Sequence, residues 1–314
     1  MGMGKHYFDR FLALERRSAS QQVIGDRAQR VDIAASVGFV VWELRHPAPL
    51  LNLRRVTDRT VGGACIAVML LFFAAFGVIY FVAQQFQFVL GYGPLETGVR
   101  LLPLAVAVSA GAAVSSRLAP RIGSRTVIAG GMTIAATGVL ALVALSSVPG
   151  YPLVLASLLL LGLGIGLATP PATDLIMASF SESELGAAGG LNDTAVELGG
   201  SLGIALLGSV LATTYSDRIA GFLADLPSTN LTGTMAAQAE QAVEAARDSV
   251  GGAAIVADEL AKNPFAESYA QPLLDEAATA FAAAIADASL VGGIGLAAGA
   301  VLVAVLLPGR AHTR

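Results

Sequence analysis

Five long intervals of the chain carry no charged side chain: Thr60–Leu95, Leu101–Ser116, Thr126–Thr173, Leu198–Ser216 and Ala288–Gly309. A helix crosses a bilayer core with roughly 20 apolar residues, so the third interval has room for two spans and each of the others for one. The pattern predicts membrane helices at about 61–89, 98–117, 126–147, 151–179, 186–214 and 281–307. Small residues recur inside them, as Gly111-Ala112-Ala113, Gly130-Gly131, Gly162, Gly164, Gly166, Gly199, Gly200 and Gly203. In lipid, helices associate where small residues let backbones approach. Pro103, Pro170 and Pro171 interrupt the hydrogen-bond ladder inside or near spans, which is tolerated where a helix bends around a cavity. The expected fold class is an all-α integral membrane protein, a six-transmembrane-helix bundle.

The remaining segments differ from the spans. Residues 1–60 hold ten bases and six acids and read as a cytoplasmic or interfacial segment. Their one apolar run, Ile33–Trp42, is too short to span; it suits an interfacial helix, a re-entrant segment or the tail of a span. Residues 61–215 hold helices one to five, and 281–314 the sixth helix with a tail. Between them, 216–280 is acidic, with ten acids against three bases. Within it TMAAQAEQAVEAARDSV (234–250) reads as a surface helix, Asn263-Pro264 as a stop and Asn230-Leu231-Thr232 as a sequon.

Composition agrees with the pattern. Hydrophobic residues make up 55% and charged residues 13%, and mean hydropathy is +0.69; an average soluble domain is about 25% charged. The net charge of -4 matters less than where the arginines fall. Arg45, Arg54, Arg55 and Arg59 precede the first span, Arg117, Arg121 and Arg125 lie between spans two and three, and Arg310 and Arg314 follow the sixth. By parity all three clusters share one side. The positive-inside rule makes that side cytoplasmic and leaves the acidic 216–280 segment as an external loop.

Other chemistries find little support. The single Cys65 permits no internal disulfide, and Met1–Asp32 lacks the apolar core of a signal peptide. His6 stands where a myristoylation pattern wants Ser or Thr. His6, His46 and His312 are too scattered for a metal site or a catalytic triad. Gly162-Leu163-Gly164-Ile165-Gly166 is followed by Leu167 and preceded by no strand, so it is no nucleotide loop. No enzyme activity, cofactor, metal or nucleic-acid partner is expected.

Charge inside a bilayer is costly and marks function by default. The candidates are Arg100 near the outer end of span two, Asp174 near the cytoplasmic end of span four, and Asp193 and Glu197 in the first turns of span five, with Asn192 as polar companion. Asp193 and Glu197, four apart, share one helix face. Two accounts remain open. In one, Arg121 or Arg125 swings onto the acids and closes the cytoplasmic side; in the other, a carboxylate takes up and releases a proton as access alternates; beside both stands a solvated vestibule rim with no special role.

The stretch SRLAPRIGSRT (116–126) resembles the loop signature of the major facilitator superfamily, G-x-L-A-D-R-x-G-R-[KR], through Leu118, Ala119, Arg121, Gly123 and Arg125. Ser116, Pro120 and Ser124 depart from it, as in the second copy of this loop in the C-terminal half of such transporters. ELRHPAPLLNLRRVTDRT, QQFQFVLGYGPLETGVRLLP, GLATPPATDLIM and LNDTAVELGGSLGIALLGSVLA are similar to the fourteen-span drug:proton antiporter branch. The resemblance implies proton-coupled efflux of small amphipathic organic compounds by alternating access across the plasma membrane, with Arg117, Arg121, Gly123 and Arg125 in a cytoplasmic gating loop. It also implies a deficit. The chain supplies six C-terminal spans, so an N-terminal six-span half or a second copy is the expected partner, beside lipid, substrate and protons. The competing expectation is a non-transporting membrane subunit or an inactive truncated remnant.

Overall fold

The computed structural model describes residues 57–146, 150–225, 234–262 and 266–308. The Ile33–Trp42 run, the Asn230 sequon, the Asn263-Pro264 stop, the three histidines and Arg45, Arg54, Arg55, Arg310 and Arg314 lie outside them. The described residues form α1 (Arg59–Gln84, continued by a π-helical turn Gln85–Val89), α2 (Pro94–Ile122), α3 (Ser124–Ala141, with a 3-10 turn Leu142–Ser146) and α4 (Tyr151–Ala178). A 3-10 turn Glu182–Glu184 leads to α5 (Leu185–Ala224), α6 (Thr234–Asp248), α7 (Val250–Ala261) and α8 (Glu267–Leu306). Six of these helices, α1 to α5 and α8, are long and apolar enough to cross a membrane, as the charge-free intervals predict. The chain is a multi-pass helical membrane protein.

Two boundaries differ from the sequence reading. The gating loop expected around 117–125 shrinks to one residue: Arg117 and Arg121 sit in α2, Arg125 in α3, and Gly123 alone connects them. Polar helix ends carry no apolar signal, so the charge-free intervals end α2 too early and start α3 too late. Gly123 holds φ 90° and ψ 144°, a conformation reserved for glycine, and its N–H bonds Ala119 O at 2.9 Å. Pro103, Pro170 and Pro171 fall inside helices, as the sequence reading places them. Pro103 and Pro120 lie within α2, and Pro170 and Pro171 within α4.

The acidic segment is not a loop where it is described. At 1.5 Å per residue the forty-residue α5 and α8 each run about 60 Å, twice the roughly 30 Å hydrocarbon core. Their far ends pack with α6 and α7 into a helical cap. The helix read over 234–250 is present as α6. It stops because Ser249 turns to extended backbone and caps α7, accepting from the Gly252 N–H at 3.0 Å. Tyr215, fully buried, donates its hydroxyl to Ala246 O at 2.9 Å and packs edge-on to Phe281 at 6.1 Å. Arg247 donates to Ser216 Oγ at 3.2 Å, and Arg218 pairs with Asp287 at 3.6 Å.

Glycine sets the helix spacing in the spans. A Cβ on Gly199 or Gly203 of α5 would run into the carbonyl oxygens of Met69 and Phe73 on α1. Lipid offers no hydrophobic drive for helix pairing, so this backbone contact is what joins the two. α4 packs on both α2 and α3, and α8 on α1, α3 and α5. α2 and α5 remain the least covered spans: Val106 is 66% and Leu206 55% exposed.

Candidate functional site

Arg100 and the acids occupy opposite ends of the bundle. Arg100 follows the α2 N-terminus, which Gly93 and Pro94 open. Its guanidinium lies 3.9 Å from the Tyr92 ring centre and 4.8 Å from that of Tyr151, and pairs with Glu96 at 2.7 Å. The Tyr151 hydroxyl donates to Arg100 O at 3.5 Å, and both tyrosine rings lie 5.8 Å from Phe86. Glu96 sits in the first helical turn, where a carboxylate suits the helix dipole. This cluster fastens α2 to the start of α4 and does not join the acids; about 18 Å of helix separates Arg100 from Ala112, beside the acid end.

At that end, α1, α2 and α4 enclose a groove of about 320 Å³. Its walls are Phe72, Val108, Ala112, Ile165, Gly166 and Pro170; Thr169, Thr173 and Asp174 add its polar groups. The Thr169 hydroxyl is buried with no hydrogen-bond partner among the described residues. Thr173 donates to Asn192 Oδ1 at 3.0 Å, which fixes the amide so that its nitrogen is turned to Asp193 Oδ1, 3.5 Å away. Thus α4 and α5 bring Asp174, Asn192 and Asp193 to one level, as their positions before and after the SESEL turn predict. That turn is held by Ser181 and Glu184, joined at 2.7 Å.

Asp193 and Glu197 do not look into this chain's core. The buried stripe of α5 runs through Ala195, Gly199, Gly203, Leu207, Leu211 and Tyr215. Asp193 and Glu197 stand two residues earlier, roughly 200° around the helix, and are exposed. Ser201 and Ser209 continue their row at four-residue steps and are exposed too. Asp174, Asp193 and Glu197 enter no ion pair among the described residues. Arg117, Arg121 and Arg125 are exposed at the same end, beside the Gly123 turn.

The sequence reading missed the groove walls. Phe72, Val108 and Ile165 look like any packing residue inside an apolar span. Asp174 and the Pro170-Pro171 break were the signals available; Thr169 and Thr173, polar and flanking those prolines, went unread.

The described residues thus form a six-span bundle of glycine-seamed helices with a groove ending in a carboxylate. The Major Facilitator Superfamily model matches residues 11–204, more than half of the chain, and the chain belongs to that superfamily. It is similar to the "Puromycin resistance protein pur8" of Streptomyces alboniger, 35% identical over 63% of this chain and 40% of that protein. It is 31% identical to the "Multidrug efflux pump LfrA" of Mycolicibacterium smegmatis over 88% of this chain and 51% of that protein. To the "Multidrug resistance protein Stp" of Mycobacterium tuberculosis it is 34% identical, over 58% of this chain and 34% of that protein. The chain therefore spans about half or less of the relatives it matches.

Proposed function

We propose that this chain is the C-terminal half of a fourteen-span drug:proton antiporter and takes part in export of small amphipathic organic compounds across the plasma membrane. The observation that carries the reading is the apolar groove ending at Asp174, next to an acid-bearing face of α5 that nothing in the described chain covers. An apolar wall with one aromatic ring and one carboxylate suits an amphipathic molecule. A row of Asp193, Glu197, Ser201 and Ser209 on a membrane helix suits a polar cavity or a second bundle rather than acyl chains, since a charge at mid-depth costs roughly 2.5–3.5 kcal/mol on the lenient insertion scale. Relatives bearing multidrug and antibiotic resistance names support the substrate class. In this reading access alternates between the two ends, Asp193 exchanges the coupled proton, and the covering surface is an N-terminal six-span half or a second copy. The arginine end is cytoplasmic and the helical cap external.

Expressed alone, the chain is expected to insert without exporting dye. Supplying an N-terminal half from a relative should stabilise it by mass action and restore proton-dependent dye efflux in inverted vesicles. Dye pumping by a purified monomer would overturn the half-transporter reading. An impermeant thiol reagent on intact cells should label cysteines placed in 234–262 and spare Ser124→Cys; the reverse pattern rejects the orientation.

A further inference from the structure

We propose that Ser115 on α2 is a positioning residue: it replaces the N–H that Pro171 lacks, holds α4 across its double proline, and so sets the aim of Asp174 into the groove. The inference rests on the reading of that groove as the substrate site and adds a residue outside its walls.

In an unbroken helix the N–H of residue 171 would bond Leu167 O. Proline has none, and Pro170 likewise leaves Gly166 O without its ladder donor. An unsatisfied carbonyl is costly in hydrocarbon, where serine hydroxyls are among the few groups able to replace the missing bond. Ser115 Oγ donates to Leu167 O at 2.7 Å, and Ser115 is fully buried. Gly111, one turn earlier on α2, makes this reach possible: a Cβ there would lie 2.5 Å from Leu163 O and 3.0 Å from Leu167 N.

Past the prolines, α4 carries Thr173 and Asp174 and ends at Ala178. This last stretch is tied on its other flank by the Thr173–Asn192 bond at 3.0 Å. Its ladder is missing two donors at the prolines, so these two side-chain bonds help set its direction beside the packing of Ala172 and Ile176. Asp174 lies three residues beyond Pro171, on the groove. A change of bend moves that carboxylate relative to Phe72 and Val108, while the apolar walls before the prolines stay in place.

The test uses the full chain in nanodiscs of zwitterionic lipid, titrated with tetraphenylphosphonium and tetraphenylborate, a cation and an anion of nearly the same size and shape. Wild type should prefer the cation, and Asp174→Asn should erase the preference. Ser115→Ala should reduce the cation-over-anion ratio by roughly threefold or more and lower the melting midpoint by roughly 3–6 °C, as loss of one buried hydrogen bond requires. In a Pro171→Ala background the restored backbone N–H takes Leu167 O, so adding Ser115→Ala should not lower the midpoint further. An equal midpoint loss in both backgrounds overturns the proposal, as does a Ser115→Ala chain that keeps the wild-type ratio. If Ser115→Ala alone does not fold, the Ser115→Ala, Pro171→Ala chain should; its failure to fold also overturns the proposal. Equal affinity of wild type for both ions sinks the groove as an acid-ended substrate site, and with it the aiming role. The melting cycle would in that case still separate the hydrogen-bond substitution from the functional reading.

Discussion

Arg100 and Asp193 are both charges on membrane helices, and the structure treats them in opposite ways. Arg100 has a carboxylate at 2.7 Å and two aromatic rings at 3.9 and 4.8 Å, all supplied by its own chain. Asp193 has one long contact from Asn192 and an open face. A charge given partners locally is part of the scaffold: Arg100 locks α2 to α4 at the end where α2 is otherwise poorly covered. In the proposed reading, a charge left without a counter-charge, opposite the buried stripe of its helix, serves something that comes and goes or faces a partner surface. The intramembrane charge alone does not distinguish the two; the neighbours do.

The sharpest way to break this contrast is to neutralise each charge in an assembled transporter. Asp193→Asn should reduce proton-driven dye efflux by about 100-fold or more, in the range seen when a proton-transfer group is removed, with insertion and folding unchanged. Arg100→Ala should leave the coupling stoichiometry intact in whatever protein still folds. Full efflux in Asp193→Asn and Glu197→Gln, alone and together, would remove the functional half of the comparison.

Next in size is the turn that brings Arg121 and Arg125 to the acid end. Gly123 sits at φ 90°, so Gly123→Ala should destabilise the chain by roughly 1–3 kcal/mol. Ser124→Ala, next door in helical backbone, should be near neutral. Equal melting of the two variants would mean that the turn relaxes to another conformation and that the Gly123 match to the family signature is not a backbone requirement.

These two predictions mark what the sequence made legible. The spans were readable because charge-free intervals are long and the bilayer fixes their length; Asp174, Asn192 and Asp193 were readable as neighbours because parity and a short turn place them so. Where polar helix continues past a span, as at Arg121 or Ser216 to Ala224, apolar counting had nothing to measure. Tyr92 and Tyr151 could not be assigned to Arg100 from sequence, since neither lies on α2, whereas Glu96 stands one turn earlier on the same helix. The groove stayed hidden for a related reason: its walls are ordinary span residues, and only the helix arrangement separates Phe72 from Phe81, which is fully buried.

A smaller effect tests the Arg100 side for stability. Arg100→Ala should lower the melting midpoint by several degrees, because it removes the ion pair with Glu96 and the stacking on two rings together. Asp193→Asn should not lower it, since asparagine keeps the oxygen that accepts the one long contact from Asn192 and neutralisation relieves the nearness to Glu197 one turn on. If both variants melt together at the lower temperature, Asp193 has a structural partner after all and the contrast fails.

The smallest prediction separates the two ways in which Tyr151 serves Arg100. Its hydroxyl reaches Arg100 O at 3.5 Å, at the limit of a hydrogen bond, whereas its ring lies 4.8 Å from the guanidinium carbon and 5.8 Å from Phe86. Tyr151→Phe keeps the ring and deletes only the weak bond, so the midpoint should move by less than about 1 °C. Tyr151→Leu keeps apolar volume but removes the π face, and should fall most of the way to Arg100→Ala. In an Arg100→Ala background the same leucine substitution should cost much less, because the cation that the ring serves is gone. A Tyr151→Phe chain as unstable as Tyr151→Leu would put the hydroxyl, and not the ring, at the centre of this fastening.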